Sequence, residues 1–453
     1  RTNLRKECNP MLFFNSITNL FSNQQFKCES YEYDDETNSK TFRVESMQEI
    51  RAVRCPLCGG KVHIQGNPTI KLRDMPVEPG TPLKLRVRFH RYECQSCGKT
   101  FNEDIDLKYP GTRVTWRAAL WIKALLKLNM TVKAVSLLTD IHWETISKIH
   151  KELMAADLEK RKTKLEADGY KPKHLAVDEF AIHKGHTYAT CVMDLDEGDV
   201  LWVGKGRAID DFRKFFEEID MKYLAEVEAV AMDMNASYNR LVEEYLPHAA
   251  IVYDRYHMQA QYGKEVLGSV RLEEAARHQG FANEIESQIT KDMDKATVKE
   301  LHNKAKSERK LYRKLKKSRW NILKNSTNLS EDSAEDLADI LDEHKTLSIC
   351  YAMKEAMCDL FELRDPVLAE IMWEEWFKVA KDSGIPQLEK FAKLKEKRLC
   401  GLIAHATHPI STGKLEGFNN KIKVAKRIGY GYRNDDYFFT LVKYISLPQN
   451  RKK

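Results

Sequence analysis

Two apolar segments that read as buried strands each run into an aspartate: Lys173-His-Leu-Ala-Val-Asp178-Glu-Phe-Ala-Ile and Val227-Glu-Ala-Val-Ala-Met-Asp233. A carboxylate in a central strand is costly unless it is paired or ligates a metal. A chain that carries two of them must therefore fold so as to bring a cation between its strands. Strand-like Thr187–Leu195 and Val200–Gly204 and a helical Ile209–Ile219 separate the two acids. A helix over Tyr238–Tyr245 and a strand over Ala249–Asp254 follow.

Three strands, helix, strand, helix, strand is the ribonuclease-H-like layout. In it the first and fourth strands are neighbours, which places Asp178 opposite Asp233. A third acid is expected from a later helix, and Gly413–Arg427 supplies Glu416. Glu416, Asn420, Lys423 and Arg427 are spaced four, three and four, so one helical face carries them all. Three carboxylates suit two Mg²⁺ ions, hard cations with oxygen ligands, and Mn²⁺ as a substitute. Such a pair would serve in-line displacement at a phosphodiester. Glu179 points to the opposite sheet face and is expected in a surface or supporting place.

Cys55-Pro-Leu-Cys58-Gly-Gly and Cys94-Gln-Ser-Cys97-Gly-Lys are matched knuckles. Each can place two thiolates on one ion, and the glycine after the second cysteine permits the tight turn. The set predicts a structural Zn²⁺ with no open coordination position. The segments Thr69–Arg73 and Leu83–Tyr92 between the knuckles read as strands of a zinc ribbon. Lys84, Arg86 and Arg88 alternate with apolar residues, so the cations share one strand face, either solvated or touching phosphates. The remaining cysteines, Cys8, Cys28, Cys191, Cys350, Cys358 and Cys400, are scattered, which fits a reducing compartment. A buried thiol is expected at Cys191.

Trp116–Leu128 has helical apolar spacing. Met130–His150 reads as two short helices, with Thr131 capping the first and Val132, Val135 and Leu138 as its inner stripe. The turn is expected at Thr139–Ile141, and the second helix would expose Trp143, Thr145, Ser147, Lys148 and Lys151. Together these predict a helix-turn-helix. The charged stretch 161–172 reads as a linker. Residues 260–400 are almost wholly helical. Within them Lys304, Lys306, Arg309, Lys310, Arg313, Lys314, Lys316, Lys317 and Arg319 give a run of nearly all-positive sign over four turns, more than a solvated face needs. Trp320 at its end suits either base stacking or a core anchor, and Trp373, Trp376 and Phe377 suit a core. The turn Gly429-Tyr-Gly-Tyr-Arg433 suits either a DNA contact or plain structure.

At 453 residues, with 42% hydrophobic and 9% aromatic content, several folded units are expected. The net charge of +7 is modest, so only its distribution argues for a polyanion. No run of about 18 uncharged apolar residues spans a membrane. The Met11–Phe14 patch is too short for a signal peptide. Because residue 1 is Arg, a trimmed start is expected.

Val-Asp178-Glu, the Met-Asp233-Met-Asn-Ala-Ser-Tyr run, the Asp254-Arg-Tyr-His257 run and the Glu416-Gly-Phe-Asn-Asn-Lys-Ile-Lys to Arg433 segment resemble the ISL3 family of insertion-sequence transposases. The likeness runs over nearly the whole chain, with the motifs in the family's order. It implies a multidomain α/β protein. Its parts would be a zinc-ribbon domain over 1–105, a helix-turn-helix domain over 106–165, and a ribonuclease-H-like core over 170–257 and 409–453 interrupted by a helical insertion over 258–408. It implies a DDE enzyme with catalytic Asp178, Asp233 and Glu416, supported by Asp254, His257 and Asn420. Such an enzyme would bind double-stranded DNA at element ends and at the target, as a homodimer in the bacterial cytoplasm beside the nucleoid. Expected DNA contacts are Arg86, Arg88, Thr145, Lys148, Lys151, Lys314, Lys317, Arg319, Trp320, Lys423, Lys426, Arg427 and Arg433. The rival readings keep the fold without the chemistry, as a zinc-dependent DNA-binding regulator, or keep cleavage without joining.

Overall fold

The computed structural model describes residues 25–76, 81–183, 187–429 and 431–451. Cys8, the Met11–Phe14 patch and Tyr430 lie outside them. The chain divides into two compact units. One comprises Arg1–Lys164, Lys426–Ile445 and Gln449–Lys453, and the other Leu165–Ala425 and Ser446–Pro448.

In the first unit, β1 (Phe26–Asp34), β2 (Ser39–Ser46), β4 (Thr69–Asp74) and β5 (Leu83–Arg88) form a sheet in the order β1-β2-β5-β4. Its core face carries Phe26, Phe42, Val44, Leu72, Leu85 and Val87, all buried. A separate sheet orders β3 (Val62–Gly66), β6 (Arg91–Cys94) and β7 (Thr100–Asn102) as β3-β6-β7. The stretch Leu83–Tyr92 is therefore not one ribbon strand. It breaks at Phe89-His90 and passes from one sheet to the other, because Glu103 accepts from the His90 N–H at 2.8 Å and diverts the ladder.

Three helices follow: α1 (Trp116–Lys127), α2 (Val132–Thr139) and α3 (Trp143–Ala167). Thr115 caps α1 through the Ala118 N–H, and its own hydroxyl donates to buried Asp74, which also pairs with Arg117 at 3.0 Å. Thr131 caps α2 by accepting from the Ala134 N–H at 3.0 Å. The helix ends at Asp140, whose φ of 54° lies in the left-handed region. Val135 is buried, whereas Leu138 is 44% exposed and Thr139 takes the inner place, its hydroxyl bonded to the Val135 carbonyl. Helix α3 continues through most of the charged stretch read as a linker. Lys, Glu, Arg and Ala are good helix formers, and nothing breaks the run before Gly169.

In the second unit the main sheet has the order β10-β9-β8-β11-β12, built from β8 (His174–His183), β9 (Thr187–Asp194), β10 (Val200–Lys205), β11 (Ala229–Met232) and β12 (Ala250–Tyr253). The β8–β9 and β9–β10 pairs are antiparallel, while β8–β11 and β11–β12 are parallel. Helices α4 (Ile209–Glu218) and α5 (Ala236–Tyr245) cover one face through Phe212, Phe215, Phe216, Tyr238 and Leu241. Buried Cys191 sits opposite Asp178 in the β8–β9 ladder.

A helical body then runs from α6 (Arg255–Tyr262), through a π-helical turn at Gly263–Leu267, into α7 (Gly268–Ser287), α8 (Lys295–Lys317), α9 (Arg319–Leu323), α10 (Glu331–Glu343), α11 (Lys345–Leu360), α12 (Pro366–Lys381), α13 (Pro386–Lys395) and α14 (Leu399–Thr407). Trp373 and Phe377 are fully buried in its core, and Trp376 is nearly so, its indole N–H donating to the Met353 carbonyl. Helices α15 (Gly413–Ile428) and α16 (Asp435–Ser446) end the chain before a short α17 (Pro448–Arg451). No described helix is long and apolar enough to cross a membrane.

Candidate active site

Strand β8 pairs with β11 through Ala229–His174, Val230–Leu175 and Ala231–Ala176. Continuing that parallel register by two residues sets Asp233 beside Asp178 on the same sheet face. Each aspartate accepts from the N–H of the residue that follows it, Glu179 and Met234 respectively. Burial pushes the Asp178 carboxyl up to about 6, and the neighbouring Glu416 charge adds to this against the opposing pull of His257. A carboxylate so disfavoured as an anion wants a cation.

Glu416 lies in the first turn of α15, with His257 Nε2 at 3.4 Å from its Oε1. Asp254, His257 and Glu416 bring ligand-type atoms within 4.8 Å of one another. Asp254 is buried and fully engaged. One oxygen accepts from the Tyr256 and His257 N–H groups and caps α6, and the other accepts from the Thr412 N–H at 2.7 Å. It therefore fixes the start of α6 against the approach to α15. Asp233 is not in this close trio, and its field reaches instead to Lys395. That ammonium, held below its usual range chiefly by burial, also donates to Gln261.

Asn420, expected beside the acids, is exposed and, among the described residues, accepts from Lys423 Nζ at 3.3 Å. Its neighbour Asn419 is buried and donates to Asp178 Oδ2 at 2.7 Å. Three residues rather than four from Glu416, Asn419 lies on the inner side of the helix. The helical period permits either spacing, so the sequence offers no signal between adjacent asparagines. Glu179 receives the Tyr238 hydroxyl at 2.9 Å, away from Asp178. Buried Oδ1 of Asn419 and Nε2 of His257 have no hydrogen-bond partner among the described residues. Oxygen and nitrogen donors that remain unsatisfied beside carboxylates fit hydrated divalent cations.

The four knuckle cysteines also converge. Sγ–Sγ distances are 3.7 Å for Cys55–Cys97, 3.5 Å for Cys58–Cys94 and 3.4 Å for Cys58–Cys97. A tetrahedron with zinc–sulfur bonds of ~2.3 Å has edges of about 3.8 Å, so the donor set could hold zinc. Gly59 and Gly98 adopt φ of 70° and 68°, the left-handed turn each knuckle needs. The backbone N–H groups of Cys97 and Ser96 pull the Cys94 thiol down to about 6.

The cations sort unevenly. On the face of the four-stranded sheet opposite its core, the register aligns Arg43, Arg86 and Lys71 in one row and Lys84 with Arg73 in the next. Like charges directly across a ladder are unfavourable unless an anion joins them. Here Glu32 pairs with Arg43 and Asp140 with Arg73 at 3.1 Å, which leaves Arg86 at the centre of the first row as the candidate phosphate contact. Arg88, in the row on the other side of Arg86, pairs with Glu45 at 3.4 Å. In α3, Thr145 is half-buried, Lys148 donates to the Gly111 carbonyl at 2.8 Å, and Lys151 lies over the Tyr437 ring. On α8, Lys314 pairs with Asp339 while Lys317 is exposed. Trp320 is 66% exposed, with the Arg319 guanidinium 5.2 Å from its ring, so it is no core anchor. Lys423, Arg427 and Arg433 are exposed, and Lys426 is half-buried.

A transposase family model of the ISL3 DDE type matches residues 175–442. The chain is 31% identical over 422 residues to the transposase for insertion sequence element IS1001 of Bordetella parapertussis, covering 92% of this chain and 94% of that protein. It is 24% identical over 319 residues to the transposase for insertion sequence element IS1557 of Mycobacterium tuberculosis, covering 70% and 69%.

Proposed function

Starting from a chain that belongs to the ISL3 family of insertion-sequence transposases, we propose that it binds the terminal inverted repeats of its element and cuts and rejoins DNA at Asp178, Asp233 and Glu416. The observation that carries this reading is the close group of Asp254, His257 and Glu416, with Asn419 on the same helix as Glu416 donating to Asp178, on a sheet whose register sets Asp233 beside Asp178. The strand order 3-2-1-4-5 within this unit supports a ribonuclease-H-like core. Residues 258–408 are its helical insertion, 1–105 a zinc-ribbon domain and 106–165 a helix-turn-helix.

When bound, two Mg²⁺ ions would activate the attacking oxygen and stabilise the leaving one. Asn419 holds the Asp178 carboxylate in one orientation, and Asp254 sets both His257 and the entry to α15. His257, with Nε2 toward Glu416, can hold a proton beside the reacting phosphate. The cation rows around Arg86 and the exposed Lys317–Trp320 corner offer phosphate contact and base stacking. The Lys148 and Lys151 contacts within the chain leave Thr145 and Trp143 as the better readers on α3. Two copies, one per element end, complete the proposed assembly.

The test incubates full-length protein with duplexes carrying an element end, plus Mg²⁺ or Mn²⁺. Nicking at the end and joining to target, both lost in Asp178→Ala, are expected. Binding without cleavage would make the protein a regulator, and cleavage without joined product would make it a nuclease.

A further inference from the structure

We propose a second transition-metal site, formed by His174, Glu228 and His408, at the end of the main sheet away from the acids. His174 opens β8, Glu228 immediately precedes β11, and His408 follows α14. One ligand-type atom from each lies within 4.8 Å of the other two. Asp178 is four residues further along β8, about 13 Å away, so the two clusters share no ligand. The site does not depend on the function proposed above.

Three features favour a metal over a chance group of charges. The His174 ring is oriented by a carboxylate, with Nδ1 2.8 Å from Asp196 Oδ1. Asp196 is itself held by the backbone N–H groups of Lys173 and His174 at 3.1 Å each. A histidine whose Nδ1–H donates to a carboxylate presents Nε2 as a fixed lone pair, the arrangement that supports ligating histidines. The His408 ring lies 6.1 Å from that of His174 at 60°, so the rings converge without stacking. The cluster borders an open cleft of about 430 Å³ that His248 and Glu226 also line. Two imidazoles, one carboxylate and an open side form the zinc donor set that leaves a fourth position for water or another ligand. The competing cation is Lys173, whose Nζ is 3.0 Å from Glu228 Oε1. It reaches one oxygen of a group that has two.

Such a site would act on the chain's own geometry. His408 is eight residues before Glu416, on the segment that returns from the helical body to α15. An ion shared by His174, Glu228 and His408 would tie that segment to the starts of β8 and β11, the strands that carry or precede the two aspartates.

Cobalt separates this site from the others. Full-length protein with zinc in its cysteine cluster is dialysed against Co²⁺ under saturating Mg²⁺, which occupies oxygen-rich positions. One additional equivalent of Co²⁺ is expected, with ligand-field bands and no thiolate charge-transfer band. His408→Ala and His174→Ala should each lose that equivalent while keeping zinc and the wild-type melting profile. Asp196→Asn should weaken it by about 10- to 100-fold. If no additional equivalent binds, or if it persists in both histidine variants, the site does not exist. An ion-paired cluster alone would show the same failure.

Discussion

The cysteine cluster and the acidic cluster solve the same problem, gathering metal-type ligands, by opposite routes. Four thiols come from two local turns, and their sulfurs already stand at tetrahedral spacing. The acids come from positions 178, 233 and 416, and only Glu416 closes onto His257 and Asp254. Short knuckles fix their own geometry through glycine turns. A dispersed site depends on intermediaries such as Asn419 and Asp254. Local motifs therefore carry preorganisation in the sequence itself, whereas distant ones borrow it from the fold.

Removing zinc should break the comparison most severely. Chelation or Cys55→Ser is expected to unfold the β3-β6-β7 sheet, since a structural zinc contributes on the order of 10 kcal/mol to so small a core. Metal analysis and melting would check it, and full zinc retention in Cys55→Ser would remove the ribbon assignment.

The acidic cluster should respond in the reverse sense. Asp178→Asn is expected to cut DNA cleavage by more than about 10³-fold, yet to raise stability at neutral pH by up to about 3 kcal/mol. The folded carboxyl titrates at about 6 against an ordinary 3.8. Its stabilising contribution is thus complete below 3.8 and lost as pH rises through about 6. An asparagine avoids that cost, and a flip of Asn419 would let its unpartnered Oδ1 accept from the new amide. Denaturant titration without added metal measures this, and a less stable variant would refute it.

His150 sharpens the contrast between the units. It is buried against Tyr437 and Tyr444, and burial pushes it down to about 4 from an ordinary 6.5. Its contribution is present above 6.5 and lost as pH falls through about 4, at most about 3 kcal/mol. Acidification should therefore loosen the α3–α16 packing while relieving strain at Asp178. Hydrogen exchange across both units at pH 7 and 5 would read this, and equal responses would contradict it. The smallest effect is expected for Asn419→Ala, a loss of about 10- to 100-fold in cleavage rate with unchanged DNA affinity. The acidic limb of its pH–rate profile should move upward, because a donor to the charged form is gone. An unmoved limb would reduce Asn419 to packing.

What the sequence made legible follows the same division. The cysteine knuckles, the Thr131 cap and the strands around Asp178 and Asp233 are written in short patterns, and the described elements match them. The misreadings fell where tertiary packing chose between near-equal local options. Asn419 and Asn420 differ by one position on α15, and only the neighbouring sheet selects the buried one. Leu138 and Thr139 exchange places because a threonine hydroxyl can return to its own helix backbone. The break at Phe89-His90 depends on Glu103, thirteen residues away. Lys395, near Asp233, lies so far along the chain that no spacing argument reaches it. For Trp320 the sequence left two options, and exposure removes the core anchor.

Asp254 has one further consequence. It stands where the chain departs into the helical body, and Thr412, which it grips, stands where the chain comes home. Some 150 residues thus hang from a doorway latched by that hydrogen bond and by Gly401 of α14 seated against the Tyr253 ring, with His257 on one jamb and Glu416 just inside the other. A polymer whose ends are already clasped adds little closure entropy as it lengthens. Changes in the length of the body are therefore expected to cost little while the threshold keeps its width.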